Sequence, residues 1–261
     1  MFRLFLIMIF LVFSSCTPDG SYQEENARDS NSKPNLIKAI KPTSPVTSFS
    51  LAKKKARDEV YYDNKKTFYC GCDFTPTTTS GASLNPENCG YKPKRNNNRS
   101  KRIEWEHVVP AYEIYKNLSC NIDGHPKCVK NGRTFKGRKC CAKVDKGFEH
   151  AEADLHNLTP AVGELNGDRS NYRFNEIAGE EREYGSCDFE VKDQIAEPKE
   201  ILRGDVARIW LYMIDAYNLD IEDEYIEMLK SWHISDPVSN WEIKRDKRIM
   251  KIQGNYNPYL Y

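Results

Sequence analysis

Glu104-Trp105-Glu106-His107 is the most informative stretch of this chain for both fold and chemistry. A histidine beside a carboxylate can take a proton from water near neutral pH. Neighbouring side chains of a regular strand point to opposite faces, so a site that uses both Glu106 and His107 requires the chain to bend there. Pro110 follows closely and is typical of a strand end. Residues 102 to 110 are therefore predicted to form a strand that ends at a functional site.

A second polar motif, Asp154-Leu155-His156-Asn157, follows 50 residues later. The amide oxygen of Asn157 and the carboxylate of Glu106 are hard oxygen ligands suited to Mg²⁺, which keeps most of its waters and takes few protein ligands. His156 is a second candidate for the base, besides His107. Glu-His pairs also occur in many proteins without a catalytic role, so the two motifs on their own only suggest metal-assisted phosphodiester hydrolysis.

Longer blocks of the sequence resemble the bacterial endonuclease I family of periplasmic and secreted nucleases. The resemblance covers residues 52 to 260, and ordered blocks of this length rarely arise by chance. The blocks are RIEWEHVVPA at 102–111, DLHNLTPAVGELNGDRSN at 154–171, FYCGCD at 68–73 and QGNYNP at 253–258.

This resemblance implies a ββα-metal (His-Me finger) site and assigns a role to each matching residue. The residue that matches His107 is the general base, and those that match Glu106 and Asn157 hold one Mg²⁺. The stretch GRKC at 137–140 matches the position of a phosphate-stabilising arginine, which makes Arg138 the fourth site residue. The resemblance also implies products with 5′-phosphate ends.

The expected fold class is α+β: a mixed, mostly helical single domain with a ββα-metal core, stapled by disulfides. Residues 1–15 are predicted to be a signal peptide, because Arg3 precedes an unbroken apolar run from residue 4 to residue 13. Ten apolar residues are too few to span a bilayer, which takes about 20. Residues 16–50 are rich in Ser, Thr, Asn, Pro and Lys and are predicted to be a disordered spacer. Residues 51–261 form the expected nuclease domain.

The cysteine count supports export. The chain has nine cysteines, and Cys16 lies at the signal boundary. The remaining eight, an even number, are typical of four disulfides in an exported domain, although the sequence does not choose the pairing. Zinc binding is the alternative, but the Cys-X-Cys and Cys-Cys spacings are unlike those of zinc sites. The eight are Cys70, Cys72, Cys89, Cys120, Cys128, Cys140, Cys141 and Cys187.

Cys16 leaves two alternatives open. Phe13-Ser14-Ser15-Cys16 resembles a bacterial lipoprotein cleavage box, which would place a lipid anchor on Cys16. Simple cleavage of the signal peptide would release the domain instead. The expected location is accordingly periplasmic or secreted, with a membrane-anchored lipoprotein as the variant.

Apolar periodicity and turn residues predict the remaining elements. Helices are expected where apolar residues recur at i, i+3 and i+4, and loops where Gly, Pro, Asn and Lys cluster. The expected helices are 112–118, 158–165, 205–218 and 222–232, and Asn166-Gly167-Asp168 is expected to end the second of them. The expected loops are 75–99 and 119–150.

Charge is unevenly distributed along the chain, although the net charge is only +1. Residues 92–146 contain 15 Lys and Arg against 5 Asp and Glu, whereas residues 148–230 contain 8 against 21. Such a basic segment around a Glu-His pair is typical of a protein that binds phosphates. Interleaving of the two segments in space would instead cancel their charges. The five cations directly before the expected strand favour phosphate binding: Lys94, Arg95, Arg99, Lys101 and Arg102.

These observations predict an exported, monomeric, Mg²⁺-dependent endonuclease. It is expected to cleave double- and single-stranded DNA, and RNA as well, with little sequence preference, because no base-reading module is present. Mn²⁺ is expected to substitute for Mg²⁺, and Zn²⁺ to serve poorly. The alternative from another class is a catalytically inactive, disulfide-stapled nucleic-acid-binding protein of the same fold.

Overall fold

The computed structural model describes residues 41–77, 82–86, 88–179 and 181–261 of the 261-residue chain. The expected signal peptide, Cys16 and most of the expected spacer lie outside these residues. In this part of the chain no helix combines the length and the apolar character that crossing a membrane requires. The expected α+β class with disulfides in a single domain is confirmed.

The Glu-His motif lies in a four-stranded antiparallel sheet. The strands are β1 (Asp73–Pro76), β2 (Ala82–Asn85), β3 (Arg102–His107) and β6 (Leu158–Val162), in the order β1-β2-β3-β6. The strand expected from the motif is therefore confirmed, although it ends at His107. The loop expected at 75–99 is wrong in part, because β2 pairs with both β1 and β3. Turn-forming residues in this stretch gave no sign of the two short strands, because these strands are stabilised by pairing within the sheet.

The helix expected at 158–165 is also wrong. Residues 158–162 are β6, and helix α6 (Gly163–Arg169) begins only afterwards, so that Asn166-Gly167-Asp168 lie inside a helix. Pro160 disfavours the interior of a helix, and β6 is an edge strand, where proline is tolerated. Pro160 lies opposite Trp105 of β3, and its carbonyl accepts a hydrogen bond from Phe68 N at 2.7 Å. The result is a pair of antiparallel strands, β3 and β6, with helix α6 directly after β6.

The expected loop at 119–150 is mostly regular structure. After α2 (Ala111–Tyr115), the segment contains α3 (Ser119–Ile122), the short strands β4 (Val129–Lys130) and β5 (Arg133–Thr134), α4 (Arg138–Val144) and α5 (Lys146–Glu152). Its core is built from sulfur and aromatic side chains around Phe148. The Gly- and Lys-rich composition predicted a loop. The helices that form instead are too short to show an apolar periodicity, and disulfides hold them together.

All eight cysteines downstream of Cys16 are paired, as the even count predicted. None of these sulfurs is left as a thiolate for zinc. The pairs are Cys70–Cys187, Cys72–Cys89, Cys120–Cys141 and Cys128–Cys140.

The C-terminal half supplies the main core. The two helices expected from periodicity are confirmed as α7 (Arg203–Tyr217) and α8 (Asp223–Ser235), which pack against each other around Trp210. A further helix, α9 (Asn240–Gln253), was not expected, because its sequence is strongly polar. A small sheet of β7 (Arg173–Phe174), β9 (Ile195–Pro198) and β8 (Phe189–Lys192) completes this half.

The described part of the expected spacer is packed on the domain. Helix α1 (Phe49–Lys55) begins at Ser48, whose side chain accepts a hydrogen bond from Leu51 N, and a π-helical turn (Ala56–Val60) extends it. Upstream of α1, Val46 is buried and Ser44 N donates to Gln253 O at 2.9 Å. The ordered domain thus begins before residue 51, because apolar residues among the polar ones of this segment contact α9 and the sheet.

Candidate active site

A cavity of about 810 Å³ opens at the end of β3. Glu106 and His107 lie at its floor, where β3 gives way to the turn before α2. Its walls come from α1, α2, α6 and the first residue of α4, and therefore from segments far apart in sequence. Aromatic and cationic residues of the wall include Phe49, Lys53, Arg99, Arg102, Arg138 and Arg169.

The His107 ring is held neutral and in one orientation. Its Nε2 lies 2.7 Å from the backbone oxygen of Glu152. A carbonyl oxygen can only accept, so Nε2 carries the hydrogen, and Nδ1 of the neutral ring keeps its lone pair. Burial, followed by the positive charge of Arg138, lowers the pKa of His107 to about 3, so that the ring is neutral at neutral pH. The ring packs against Phe49, with centroids 4.7 Å apart.

Glu106 is fixed through one of its two carboxylate oxygens. Oε1 accepts hydrogen bonds from Tyr69 Oη at 3.0 Å and from Arg169 Nη1 at 2.8 Å. Burial raises the pKa of Glu106, and the Arg169 guanidinium is the strongest opposing influence. Among the described residues no hydrogen bond reaches Oε2, so this oxygen is available to a ligand in the cavity. A single hard oxygen fits the demands of Mg²⁺, which takes most of its remaining ligands from water.

Asn157 lies beside the Glu-His motif but does not reach into the cavity. Its Oδ1 accepts a hydrogen bond from Val109 N at 2.7 Å, and its Nδ2 donates to Val109 O at 2.9 Å. The side chain is completely buried. These two bonds hold the turn that carries the chain away from β3 just after His107. An amide oxygen has a second lone pair, so metal binding by Asn157 stays a hypothesis rather than an observed geometry.

Arg138 is connected to His107 through a single residue. Its Nε forms an ion pair with the Glu152 carboxylate, whose own backbone oxygen binds His107. The exposed guanidinium lies 5.4 Å from the centroid of the Phe49 ring. Glu152 therefore positions both His107 and Arg138 on the same side of the cavity.

His156, the competing candidate for the base, is buried elsewhere. Its ring packs against Tyr212 at 4.5 Å, and its Nδ1 lies 3.7 Å from Asp246. It is not part of the described cavity wall. Burial lowers its pKa. The structure thus leaves His107 as the base candidate.

Comparison with known proteins identifies the family. The family described as Endonuclease I matches residues 30–261, which is most of the chain. The chain belongs to the endonuclease I family. The resemblance and the expectation of a nuclease are therefore confirmed.

Curated relatives in this family align along most of the chain. An extracellular deoxyribonuclease of Aeromonas hydrophila is 39% identical over 231 residues, covering 86% of this chain and 93% of the relative. A periplasmic deoxyribonuclease of the same species is 40% identical over 207 residues, covering 77% and 81%. Endonuclease-1 of Buchnera aphidicola subsp. Acyrthosiphon pisum is 43% identical over 198 residues, covering 75% and 73%.

Several residues of this endonuclease I site were not expected from the sequence. Phe49 and Lys53 come from α1, which begins inside the expected spacer. Tyr69 and Arg169 lie inside blocks that resemble the family, but nothing local in those blocks shows that they bind Glu106. The serine at Ser48 before an apolar residue was the available signal for α1, since serine is a favoured helix N-cap.

The cations before β3 pair with carboxylates of both segments, and Glu104 of the basic segment is shared by two of them. Four of the five expected phosphate-binding residues form ion pairs, and only Lys101 has none among the described residues. The two segments thus interleave in part here, which is the alternative to phosphate binding, and phosphate binding by these cations stays a prediction. The pairs are Lys94–Glu183, Arg95–Asp168, Arg99–Glu104 and Arg102–Glu104.

Proposed function

We propose that the chain is an exported, Mg²⁺-dependent endonuclease that hydrolyses phosphodiester bonds of DNA and RNA with little sequence preference. The observation that carries the proposal is the neutral His107, whose Nδ1 lone pair is held in one cavity with Glu106 and Arg138. A base, a carboxylate oxygen and a cation are the groups that hydrolysis of a phosphodiester requires.

In this proposal His107 Nδ1 takes the proton from the attacking water. Glu106 would hold Mg²⁺ through Oε2, and Asn157 is the second proposed ligand, through the lone pair of Oδ1 that Val109 does not use. When bound, the ion supplies a positive charge that stabilises the phosphate oxygens and the leaving 3′ oxygen. Arg138 contacts a non-bridging phosphate oxygen by a charge-assisted hydrogen bond. Departure of the 3′ oxygen leaves a 3′-hydroxyl on one fragment and the phosphate on the 5′ carbon of the other.

The substrate range follows from the kinds of contact that the cavity offers. Its cations can contact phosphate oxygens, which DNA and RNA share and which carry no sequence information. The names of the relatives, which include extracellular and periplasmic deoxyribonucleases, support DNA as a substrate and export as the route. Four disulfides support an oxidising compartment. Anchoring through Cys16 stays a proposal alongside simple signal cleavage.

A nicking assay on supercoiled plasmid tests the proposal. Purified protein with intact disulfides should nick the plasmid in Mg²⁺ or Mn²⁺, fail in EDTA, and regain activity when Mg²⁺ is returned. The nicks should be sealed by a ligase that requires a 5′-phosphate. Binding of DNA without cleavage in any metal would instead support the inactive binding protein. Full activity in EDTA would contradict the metal-dependent mechanism.

A further inference from the structure

A second cavity, of about 600 Å³, lies at the hairpin of β4 and β5, outside the candidate active site. Four of the side chains around it are cationic and none is acidic. We call this surface the hairpin groove and define it by Lys130, Arg133, Phe135, Lys136 and Lys139. Its charge is opposite to that of a phosphodiester backbone.

The cations of the hairpin groove differ from those that precede β3. Lys130, Arg133 and Lys139 are exposed, and none of the carboxylates in the described part of the chain pairs with them. By contrast, Arg99 and Arg102 share the carboxylate of Glu104. The hairpin therefore carries a cluster of cations that no carboxylate of the described residues pairs with. Clustered charges of one sign repel each other unless a polyanion binds, and they attract such a ligand from solution.

A disulfide and hydrogen bonds within the protein hold the groove in shape. The disulfide between Cys128 and Cys140 ties the first strand of the hairpin to α4. Lys136 Nζ donates to Ile122 O at 2.5 Å, and Phe135 N donates to Cys128 O at 2.9 Å. A preformed surface loses less conformational entropy on binding than a mobile loop would.

The hairpin groove adjoins the candidate active site through two consecutive residues of α4. Arg138 belongs to the wall of the active-site cavity, and Lys139 belongs to the hairpin groove. The two surfaces therefore meet at neighbouring residues of one helix, within reach of a single bound strand. The positive charge of the groove and its position beside the active-site cavity together indicate a nucleic-acid backbone as its ligand.

We propose that the hairpin groove is a second phosphate-binding surface, which holds the backbone of a DNA substrate beyond the bond that is cut. This inference rests on the proposed function and extends it to a substrate-length preference. Long substrates should bind through both surfaces, whereas short ones should occupy the active-site cavity alone. Each phosphate contact adds to the salt dependence of binding, by about 0.9 in the slope of log K against log salt.

The test compares two charge-matched triple variants. K130Q/R133Q/K139Q removes three charges from the groove, and K230Q/K247Q/K251Q removes three charges from exposed lysines that lie in neither cavity wall. Binding to a short and a long duplex is measured by fluorescence anisotropy in EDTA over a range of salt. Circular dichroism and a count of free thiols confirm that each variant is folded with its disulfides formed.

We expect the groove variant to lose about 2.7 from the salt slope on the long duplex and to be unchanged on the short one. The control variant should match the wild type on both. Equal slopes for the two variants on the long duplex would overturn the inference, as would equal losses on the short and long duplexes. If the wild-type protein bound neither duplex, the proposed function and this inference would both fail. If this inference alone fails, the wild-type protein still binds DNA.

Discussion

Arg169 and Glu106 form an ion pair inside the core, with Nη1 2.8 Å from Oε1 and both side chains 1% exposed. The same guanidinium donates to His107 O at 2.7 Å and to Val108 O at 2.6 Å. One side chain from the end of α6 therefore fixes both the proposed metal ligand and the backbone that carries the proposed base. A carboxylate this deeply buried remains ionised only with a charged partner.

Replacing Arg169 with Met should destabilise the fold by about 3–5 kcal/mol, because Glu106 would be left as an unpaired buried charge. The free energy of unfolding in urea is the measurement. Lys55→Met is the matched control, since Lys55 and Glu59 form an exposed pair of the kind worth about 0.2–1 kcal/mol. A cost for Arg169→Met no larger than that of the control would show that the buried pair is not needed.

Replacing His107 with Ala should lower single-turnover cleavage by about 10²- to 10⁴-fold, the usual contribution of a general base. DNA binding in EDTA should stay close to that of the wild type, because the cations of the cavity remain. His125→Ala is the control, since His125 is exposed and lies outside the cavity wall. Cleavage by His107→Ala at the wild-type rate would exclude it as the base.

Glu106→Gln should raise the Mg²⁺ concentration needed for cleavage and weaken Mg²⁺ binding in calorimetry, because a charged oxygen ligand becomes a neutral one. The amide still offers a hydrogen-bond acceptor to Tyr69 and Arg169, and the Arg169 guanidinium keeps three backbone carbonyls as acceptors, which limits the effect on folding. Metal titrations by both methods that match the wild type would contradict a ligand role for Glu106.

Asn157→Ala separates the two roles open to Asn157. Loss of its bonds to Val109 leaves buried backbone groups unsatisfied and should cost about 1–3 kcal/mol of stability. The proposed ligand role adds weaker Mg²⁺ binding in calorimetry. Lower stability with unchanged metal affinity would identify Asn157 as a clamp on the turn and leave Glu106 as the ligand from this chain.

Removal of the disulfides should have unequal effects. Cys70–Cys187 joins residues 117 apart, whereas Cys128–Cys140 joins residues 12 apart. The loop-entropy account predicts that the paired Ser substitution costs about 2 kcal/mol more for the longer loop. Urea unfolding of the two double variants measures the difference. An equal or reversed order would indicate that local packing, rather than chain entropy, dominates.

Much of this protein could be predicted from local patterns in its sequence. The 3.6-residue periodicity of α7 and α8 is carried by neighbouring residues, and the even cysteine count needs no three-dimensional information. The Glu-His motif and its family resemblance predicted β3 and brought attention to Glu106, His107 and Arg138. The cavity contains all three, although their chemical roles stay proposals.

Only the tertiary structure decided the remaining features, because they depend on partners distant in sequence. Residues 158–162 form a strand because β3 offers a pairing edge, and no pattern inside them shows it. The amide of Asn157 turns towards Val109, and the guanidinium of Arg169 towards Glu106, 63 residues away. Whether a cation is free or neutralised likewise depends on which carboxylate the fold brings beside it. Sequence therefore determined which chemical groups are present, while long-range packing determined which of them face the cavity.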